Sequence, residues 1–222
     1  MNRHAFIATP VHSGEVCAEY TSALLKTQIA LLQNSIAMTH SFCIGNALIH
    51  DARNRMVSWF MNREECTDLL FIDADIHWDP MDALKLITSP HDVIGGAYPQ
   101  KRDDAELFNV SILGKGATDL LLADYIGTGF MKISKKAIKM MMKKYEDKKY
   151  SDPIGNICYG LFESPIENGK ITGEDATFCR RWRNIGGKVF IDPNMTLHHI
   201  GRKAWRGNFA EVISRAPQKE VA

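Results

Sequence analysis

Several features that would assign this chain to a membrane, an oxidising compartment or a nucleic-acid complex are missing. No apolar run approaches the ~20 residues that a membrane span needs, and the run near the N-terminus is too short for a signal peptide. The five cysteines are odd in number and lack C-x-x-C spacing, which disfavours a disulfide framework or a zinc site. The chain has 27 Lys and Arg residues and 26 Asp and Glu residues, so its formal net charge is only +1. This charge excludes a strong global electrostatic field that would attract nucleic acid. We therefore expect a cytoplasmic protein with reduced thiols and no membrane span.

The length and composition are those of a single globular domain. At 222 residues the chain stays within the ~250 residues that one hydrophobic core can serve. Hydrophobic residues make up 45% and charged residues 24%, with no low-complexity tract, internal repeat or linker. Lysines crowd residues 132–149 and basic residues recur over 180–206, a pattern more typical of a solvated face than of a polyanion-binding surface. We predict one domain over residues 1–222.

Apolar periodicity predicts an α/β fold. In the first half it indicates strands at 6–11, 42–44, 68–73 and 92–98, and helices at 22–38, 46–60 and 80–86. This alternation favours a mostly parallel central sheet flanked by helices. The second half is richer in strands, which we expect to form a smaller mixed sheet: 107–113, 120–126, 130–133, 159–163 and 189–192, with helices beginning near Ser134 and Asp175.

Two carboxylates end the most apolar of these strands. The run Asp-Leu-Leu-Phe-Ile over 68–72 stops at Asp73-Ala74-Asp75. Open α/β sheets bind ligands at the carboxyl ends of their strands. Two ionised carboxylates held close repel each other unless a cation or proton intervenes, and oxygen ligands suit a hard divalent cation that also binds a substrate diphosphate. A lone Asp-x-Asp would be weak evidence, but its place at the end of a buried strand favours a metal site.

Three further motifs follow in a fixed order and carry a family resemblance. They are the turn Gly127-Thr128-Gly129-Phe130, Gly173-Glu174-Asp175 before a predicted helix, and His198-His199-Ile200-Gly201. With the Asp-x-Asp, this order resembles the GT-A-fold glycosyltransferases, in particular the soluble family 2-like and Anp1-like enzymes. The likeness spans about residues 5–207 and leaves 208–222 as a tail. It implies one Rossmann-like GT-A domain that transfers a hexosyl or pentosyl group from a nucleoside-diphosphate sugar, with UDP- and GDP-sugars as the first candidates.

The resemblance also implies a metal site. Asp75 would bind Mn²⁺ or Mg²⁺, and Asp73 would lie against the nucleotide ribose or the water shell of the ion. His199 would complete the site, since a neutral imidazole suits Mn²⁺ better than Mg²⁺. His198 is the alternative ligand. Without the family pattern, either histidine would more often be a structural residue.

The donor-binding residues implied by the resemblance come from several segments. Arg53 belongs to an Ala-Arg-Asn element that the family places near the nucleotide, although a lone helical arginine is usually a surface residue. A turn such as 127–129 permits close backbone approach between donor and acceptor, or is a plain turn. Positive charge near the leaving diphosphate would come from Lys101 or Arg102. The complete predicted donor set is Thr9, Pro10, Val11, Arg53, Asp73, Ala74, Arg102, Gly127, Thr128 and Gly129.

The predicted catalytic pair is Glu174 and Asp175. In an inverting transfer Asp175 would take the proton of the acceptor hydroxyl and Glu174 would orient it. The competing interpretation is structural, because acids in a first helical turn complement the helix dipole. Two other functions stay open: the same transfer onto a modified nucleobase in DNA, as in glycosyltransferases of bacteriophages, and a nucleotidyltransferase or sugar-nucleotide synthase. The latter usually carries a glycine-rich basic loop after the first strand, which residues 9–15 lack.

Overall fold

The first half of the chain alternates strands and helices as predicted. The computed structural model describes residues 3–103, 107–116, 119–167, 169–201 and 203–215. Asp79 caps the third helix by accepting a hydrogen bond from the Met81 N–H, and Pro80 occupies its first turn, as expected from the sequence. The elements are β1 (His4–Val11), α1 (Ala18–Gln33), β2 (Ala37–Ile44), α2 (Ile49–Met61), β3 (Asp68–Ile72), β4 (Ile76–His77), α3 (Pro80–Thr88) and β5 (Val93–Gly96).

The second half contains more and shorter elements. The Ser134 hydroxyl caps the fourth helix at the Ala137 N–H, and Gly173 precedes the fifth. The elements are β6 (Val110–Lys115), β7 (Leu121–Ile126), β8 (Phe130–Ser134), α4 (Lys135–Lys144), a 3-10 turn (Glu146–Lys148), β9 (Lys149–Ser151), β10 (Ile157–Tyr159), β11 (Ile166–Glu167), β12 (Lys170–Ile171), α5 (Glu174–Asn184), β13 (Val189–Asp192), β14 (Thr196–Ile200), β15 (Ala204–Asn208) and α6 (Phe209–Arg215). Of the predicted tail, residues 216–222 lie outside the described ranges.

One eight-stranded sheet organises the fold in the order β2-β1-β3-β8-β5-β13-β7-β6. Strands β2, β1, β3, β5 and β13 run in one direction, whereas β8 and β7 are antiparallel to their neighbours. The predicted α/β class, with a mostly parallel sheet between helices, is confirmed. The membership of the smaller sheet was wrong, because β6, β7, β8 and β13 join the main sheet. A separate three-stranded sheet directly follows Asp75 in β4 and is antiparallel, in the order β15-β14-β4.

Helices cover both faces of the main sheet. On one face, α2, α4 and α5 bury Phe60, Met141 and Phe178 against the strands. On the other, α1 and α3 bury Tyr20 and Leu86 together with Trp78. Each fully buried aromatic or aliphatic side chain contributes about 1.5–3 kcal/mol by leaving water. This two-sided burial explains why β1 and β3 read as continuous apolar runs rather than as alternating patterns.

Several predicted boundaries were wrong for local reasons. Helix α1 ends at Gln33 rather than near residue 38, because Ser35 adopts a positive φ of 57° and the chain then enters β2. Helix α2 begins at Ile49 rather than at Asn46, which lies in the turn before it. The Asn46 side chain accepts a hydrogen bond from the Leu48 N–H and donates one to Asp51 in the first turn of α2. The strand predicted at 159–163 is instead Ile157–Tyr159, since the Asn54 side-chain amide pairs with both backbone groups of Phe162.

The cysteines agree with the sequence prediction of unpaired thiols. All five are free, and four of them are buried. Within the described ranges, none of the helices has the length and hydrophobicity that crossing a membrane requires.

Candidate active site

The carboxyl ends of β1 and β3 meet at an open cavity of about 520 Å³. The two strands are parallel neighbours, so their last residues lie at the same edge of the sheet. The cavity is lined by residues 10–13, 15–17, 49 and 73–75. The structure therefore brings Pro10 and Val11 together with the Asp73-Ala74-Asp75 stretch. The Cys17 N–H donates to the Ala74 carbonyl at 3.3 Å, which ties the loop after β1 to the carboxylates.

Thr9 does not line this cavity. Its side chain is buried and its hydroxyl hydrogen-bonds Tyr20 and, at 3.4 Å, the Nε2 of His40. Strand alternation places Thr9 and Pro10 on opposite faces of β1. A second cavity, of about 370 Å³, lies near His91 and Trp182 at the amino end of β5, away from the carboxylates.

A buried guanidinium links the two predicted halves of the site. Arg53, whose side chain is 4% exposed, donates through Nη1 and Nη2 to the two oxygens of Asp73 at 3.1 and 3.3 Å. Its Nε donates to Glu174 at 3.3 Å. Burial alone would lower the pKa of Arg53, but Asp73 and Glu174 raise it, so the guanidinium stays charged. Arg53 thus contacts carboxylates in this structure, and the phosphate contact expected from the sequence stays a prediction.

Asp175 lies at the first turn of α5 with both oxygens engaged. Its Oδ2 accepts from the Asn109 side chain at 2.6 Å and its Oδ1 accepts from the Ala176 N–H at 2.7 Å. A Cβ on Gly173 would lie 2.8 Å from Asp175 Oδ1, so a glycine there makes room for the folded-back carboxylate. Burial, followed by the neighbouring Glu174, raises the pKa of Asp175. A carboxylate of raised pKa is a stronger proton acceptor than an ordinary aspartate.

The turn at 127–129 packs directly against Tyr98 and Asp73. A Cβ on Gly129 would lie 2.8 Å from Asp73 Oδ2, and one on Gly127 would lie 2.6 Å from the Tyr98 hydroxyl. The Gly129 N–H donates to that hydroxyl, while burial raises the pKa of Tyr98 and keeps the phenol neutral. Both glycines therefore make room for Tyr98 and Asp73, and the approach of their backbone to donor and acceptor stays a prediction. Thr128 is buried, and its hydroxyl has no hydrogen-bond partner among the described residues.

Asp75 occupies a more open environment than Asp73. Its Oδ2 lies 2.5 Å from the Lys101 Nζ and 3.5 Å from the His199 Nε2. Burial would raise the pKa of Asp75, but His199 and Lys101 outweigh it and lower the pKa to about 2. The side chains of Asp75 and Lys101 are 41% and 32% exposed, so this pair is accessible to solvent.

The two neighbouring histidines are separated by strand alternation. His199 faces Asp75, and its Nδ1 lies 2.9 Å from the Pro99 carbonyl oxygen. A carbonyl can only accept, so Nδ1 carries a proton. Nε2 then donates to Asp75 when the ring is protonated, and keeps a lone pair toward Asp75 when the ring is neutral. His198 points to the other face of β14 and packs against His77, with ring centroids 5.1 Å apart. The geometry therefore selects His199 over His198 as the partner of Asp75.

A divalent cation fits this donor set only with help from a ligand. Across the residues that the structure describes, no three His, Cys, Asp or Glu side chains form a metal-binding group. Asp75 and His199 do converge, and a separation of 3.5 Å allows both to bind an ion at distances of about 2.1 Å. The Lys101 ammonium marks this spot as one that holds positive charge. Mg²⁺ and Mn²⁺ sites commonly use one or two protein ligands and take the rest from phosphate and water.

The sequence prediction undervalued or missed three residues near these carboxylates. Lys101 was only one of two candidates for charge, and neither Tyr98 nor Asn109 was among the predicted site residues. The Arg102 N–H donates to the Gln100 carbonyl in the same turn, and its phosphate contact stays a prediction. Only the end of β5 could have indicated Tyr98 and Lys101 from the sequence. Both residues follow a strand that runs parallel to β3 in the same sheet, and ligands bind at the carboxyl ends of such strands.

Comparison with known proteins supports the fold and goes no further. No protein-family model matches the chain, and no curated protein matches it in sequence. Among solved structures, A197 from STIV aligns with a TM-score of 0.56 and 16% identity over 90% of this chain and 86% of that one. The inositol-1-phosphate CTP transferase from T. maritima aligns with a TM-score of 0.45 and 11% identity, covering 90% and 89%. A glycosyltransferase involved in glycosylation of the major capsid of PBCV-1 gives 0.33 and 9%, covering 61% and 62%.

These likenesses carry unequal weight. The alignment with A197 covers most of both chains and shows a shared overall fold, whereas its sequence identity is too low to transfer an activity. The other two TM-scores are too low to support an argument about this chain. Function must therefore be argued from the residues of the site.

Proposed function

We propose that this protein is a metal-dependent glycosyltransferase that moves a hexosyl or pentosyl group from a nucleoside-diphosphate sugar to a hydroxyl acceptor with inversion. One observation carries the proposal. Arg53 joins the first carboxylate of the Asp-x-Asp to the Glu174-Asp175 pair, so a cavity with metal-binding character and a candidate base belong to one connected site. A transferase of this kind needs these two parts side by side.

The cavity suits the nucleotide part of the donor. Its volume of about 520 Å³ is in the range of ligand pockets, and its wall combines apolar residues such as Val11 and Ile49 with the carboxylates at 73–75. Asp75 and His199 would hold Mn²⁺ or Mg²⁺, and Lys101 adds a positive charge at the same place. When bound, the ion would neutralise charge that develops on the leaving diphosphate.

In the proposed transfer, Asp175 acts as the base. The acceptor hydroxyl gives its proton to an oxygen of Asp175 while the hydroxyl oxygen bonds to the anomeric carbon. At the same time the bond from that carbon to the phosphate oxygen breaks, and the nucleoside diphosphate leaves with the electron pair. Asn109 holds the carboxylate from one side, and Arg53 holds Glu174 in place.

Two alternatives receive no separate support from the structure. Three basic residues of the last third, where a nucleic-acid acceptor would find positive charge, are paired with acids: Arg180 and Arg183 contact Asp124, and Arg181 contacts Glu163. Such pairing reduces the positive field that a polyanion would meet. A nucleotidyltransferase would need cationic groups after β1, where the cavity wall instead carries Glu15.

The products of the reaction test the proposal. Thermal-shift titration with UDP, GDP, CDP and TDP and their sugars, each with Mn²⁺, Mg²⁺ or EDTA, identifies the stabilising donor, since ligands that bind the folded state raise Tm. Anion-exchange chromatography then follows the conversion of that donor in the presence of Mn²⁺. We expect release of a nucleoside diphosphate, and Asp175→Asn should slow release while leaving the thermal shift intact. Formation of pyrophosphate from a nucleoside triphosphate and a sugar phosphate would favour the nucleotidyltransferase instead.

A further inference from the structure

The segment at 99–101 acts on Asp75 and His199 in two opposite ways. The Pro99 carbonyl holds the proton on Nδ1 of His199, so the neutral ring directs its Nε2 lone pair toward Asp75, which is the arrangement that a metal ligand requires. Two residues later, Lys101 places its ammonium 2.5 Å from the same Asp75 oxygen. The same short segment therefore prepares a cation site and fills it with a cation of the protein itself.

The Lys101 ammonium is held there by packing as well as by charge. Its methylene stem passes close to Gly201, where an added Cβ would lie 3.3 Å from the Lys101 Cδ. Gly201 follows β14, and the Ile200 N–H donates to the Asp75 backbone carbonyl at 2.7 Å. Strand β14 thus positions Asp75, His199 and the stem of Lys101 with respect to one another.

A divalent cation and this ammonium exclude each other. Both would bind Asp75 Oδ2, and a lysine charge at about 4 Å from a doubly charged ion repels it strongly at a half-exposed site. Because Lys101 and Asp75 both reach solvent, their contact can open without unfolding the surrounding structure. The side chain of Lys101 is long and flexible, and the nucleotide cavity begins at Asp75.

We propose that Lys101 is the resting counter-ion of Asp75, which a divalent cation displaces, and that the released ammonium then binds the diphosphate of the nucleotide. This inference rests on the nucleotide and metal sites of the proposed function. It makes Lys101 a group that couples the two ligands: the protein alone binds the ion weakly, and a diphosphate favours ion binding both by supplying ligands and by drawing Lys101 away.

Two titrations on one variant test this coupling. Binding of Mn²⁺ without nucleotide is followed by electron paramagnetic resonance, and nucleotide binding in EDTA is followed by calorimetry, using the nucleoside diphosphate that stabilises the protein. Lys101→Met keeps the stem and removes the charge. We expect it to bind Mn²⁺ about tenfold more tightly and the metal-free nucleotide several-fold more weakly. A merely structural role of Lys101 would not move these two affinities in opposite directions.

Two matched variants separate the charge from other effects. Lys101→Arg keeps the charge and should bind Mn²⁺ like the natural protein. Lys203→Met removes another lysine of the same region, which pairs with Asp103 and lies over Trp205, and should change neither affinity.

Each result decides between the proposals. Unchanged or weaker Mn²⁺ binding by Lys101→Met would overturn the counter-ion role, while nucleotide-dependent Mn²⁺ binding by the natural protein would leave the proposed function standing. Tighter Mn²⁺ binding with unchanged metal-free nucleotide affinity would overturn the transfer of the ammonium to the diphosphate. Failure of the natural protein and of every variant to bind Mn²⁺ with any nucleotide would instead remove the metal site on which both proposals depend.

Discussion

The two carboxylates of the Asp-x-Asp are separated only by Ala74 but differ in burial and in their partners. Asp73 is held by the buried Arg53 guanidinium and lies under Gly129. Asp75 reaches solvent and has one flexible lysine and one imidazole as partners. Residues 73–76 form a turn, closed by a hydrogen bond from the Ile76 N–H to the Asp73 carbonyl at 3.0 Å, so the two carboxylates need not share a face as they would in a strand. One motif therefore supplies both a structural carboxylate and an exchangeable one. The spacing of the motif therefore serves the division of roles as much as the binding of a single ion.

The largest expected effect concerns the stability that the buried partner of Asp73 contributes. Arg53→Met leaves Asp73 and Glu174 facing each other without a cation, and removing one partner of a buried pair typically costs about 3 kcal/mol or more. We expect a loss of that size in the free energy of unfolding, measured by urea denaturation. Arg63→Met is the control, because Arg63 and Glu65 form an exposed pair at 3.9 Å and should contribute less than ~1 kcal/mol. Equal losses in the two variants would show that Arg53 is not a buried anchor.

The close packing around Asp73 predicts a second, smaller loss. In Gly129→Ala the added methyl would meet Asp73 Oδ2 and the Tyr98 ring, each at 2.8 Å. Forcing one extra carbon into such a site costs about 1–3 kcal/mol. Thermal denaturation should show a lowered Tm for this variant. A Tm equal to that of the natural protein would mean that Asp73 and Tyr98 can move apart freely.

The acceptor side offers a smaller effect, on pH dependence. Asp175 must be ionised to act as a base, so its raised pKa places the acid limb of kcat/KM above the usual aspartate range. The Asn109 hydrogen bond stabilises the ionised form, and Asn109→Ala should move the limb to still higher pH. The pH profile of sugar transfer measures both. A limb that stays in place in Asn109→Ala would exclude Asp175 as the group that titrates.

The sequence located the cavity beside Asp73 and Asp75 more directly than the contacts around Asp175. Strand β3 and its terminal carboxylates are local features, because a buried apolar run ends where the first acidic side chains appear. The parallel neighbours β1 and β3 then bring Val11 and Asp73 to one edge by topology alone. For this reason the cavity could be anticipated from the sequence.

The remaining residues of the site depend on contacts that no local pattern encodes. Lys101 and Asn109 lie in irregular segments of the described ranges 3–103 and 107–116, and distant partners such as Asp75 and Asp175 fix their side chains. The small sheet was missed because β4 has only two residues and β14 carries the mixed sequence Thr-Leu-His-His-Ile. The role of Arg53 could not be read from its helix either, since Glu174 lies 121 residues away in sequence.

One measurement separates the two carboxylates most directly: the Tm of Asp73→Asn and Asp75→Asn, each without ligand and with Mn²⁺ plus the nucleoside diphosphate that stabilises the natural protein. We predict that Asp73→Asn lowers the ligand-free Tm, because it weakens the Arg53 pair. Asp75→Asn should keep a ligand-free Tm close to that of the natural protein and lose the shift that depends on Mn²⁺. A full Mn²⁺-dependent shift in Asp75→Asn would contradict both the division of roles and the metal site at Asp75.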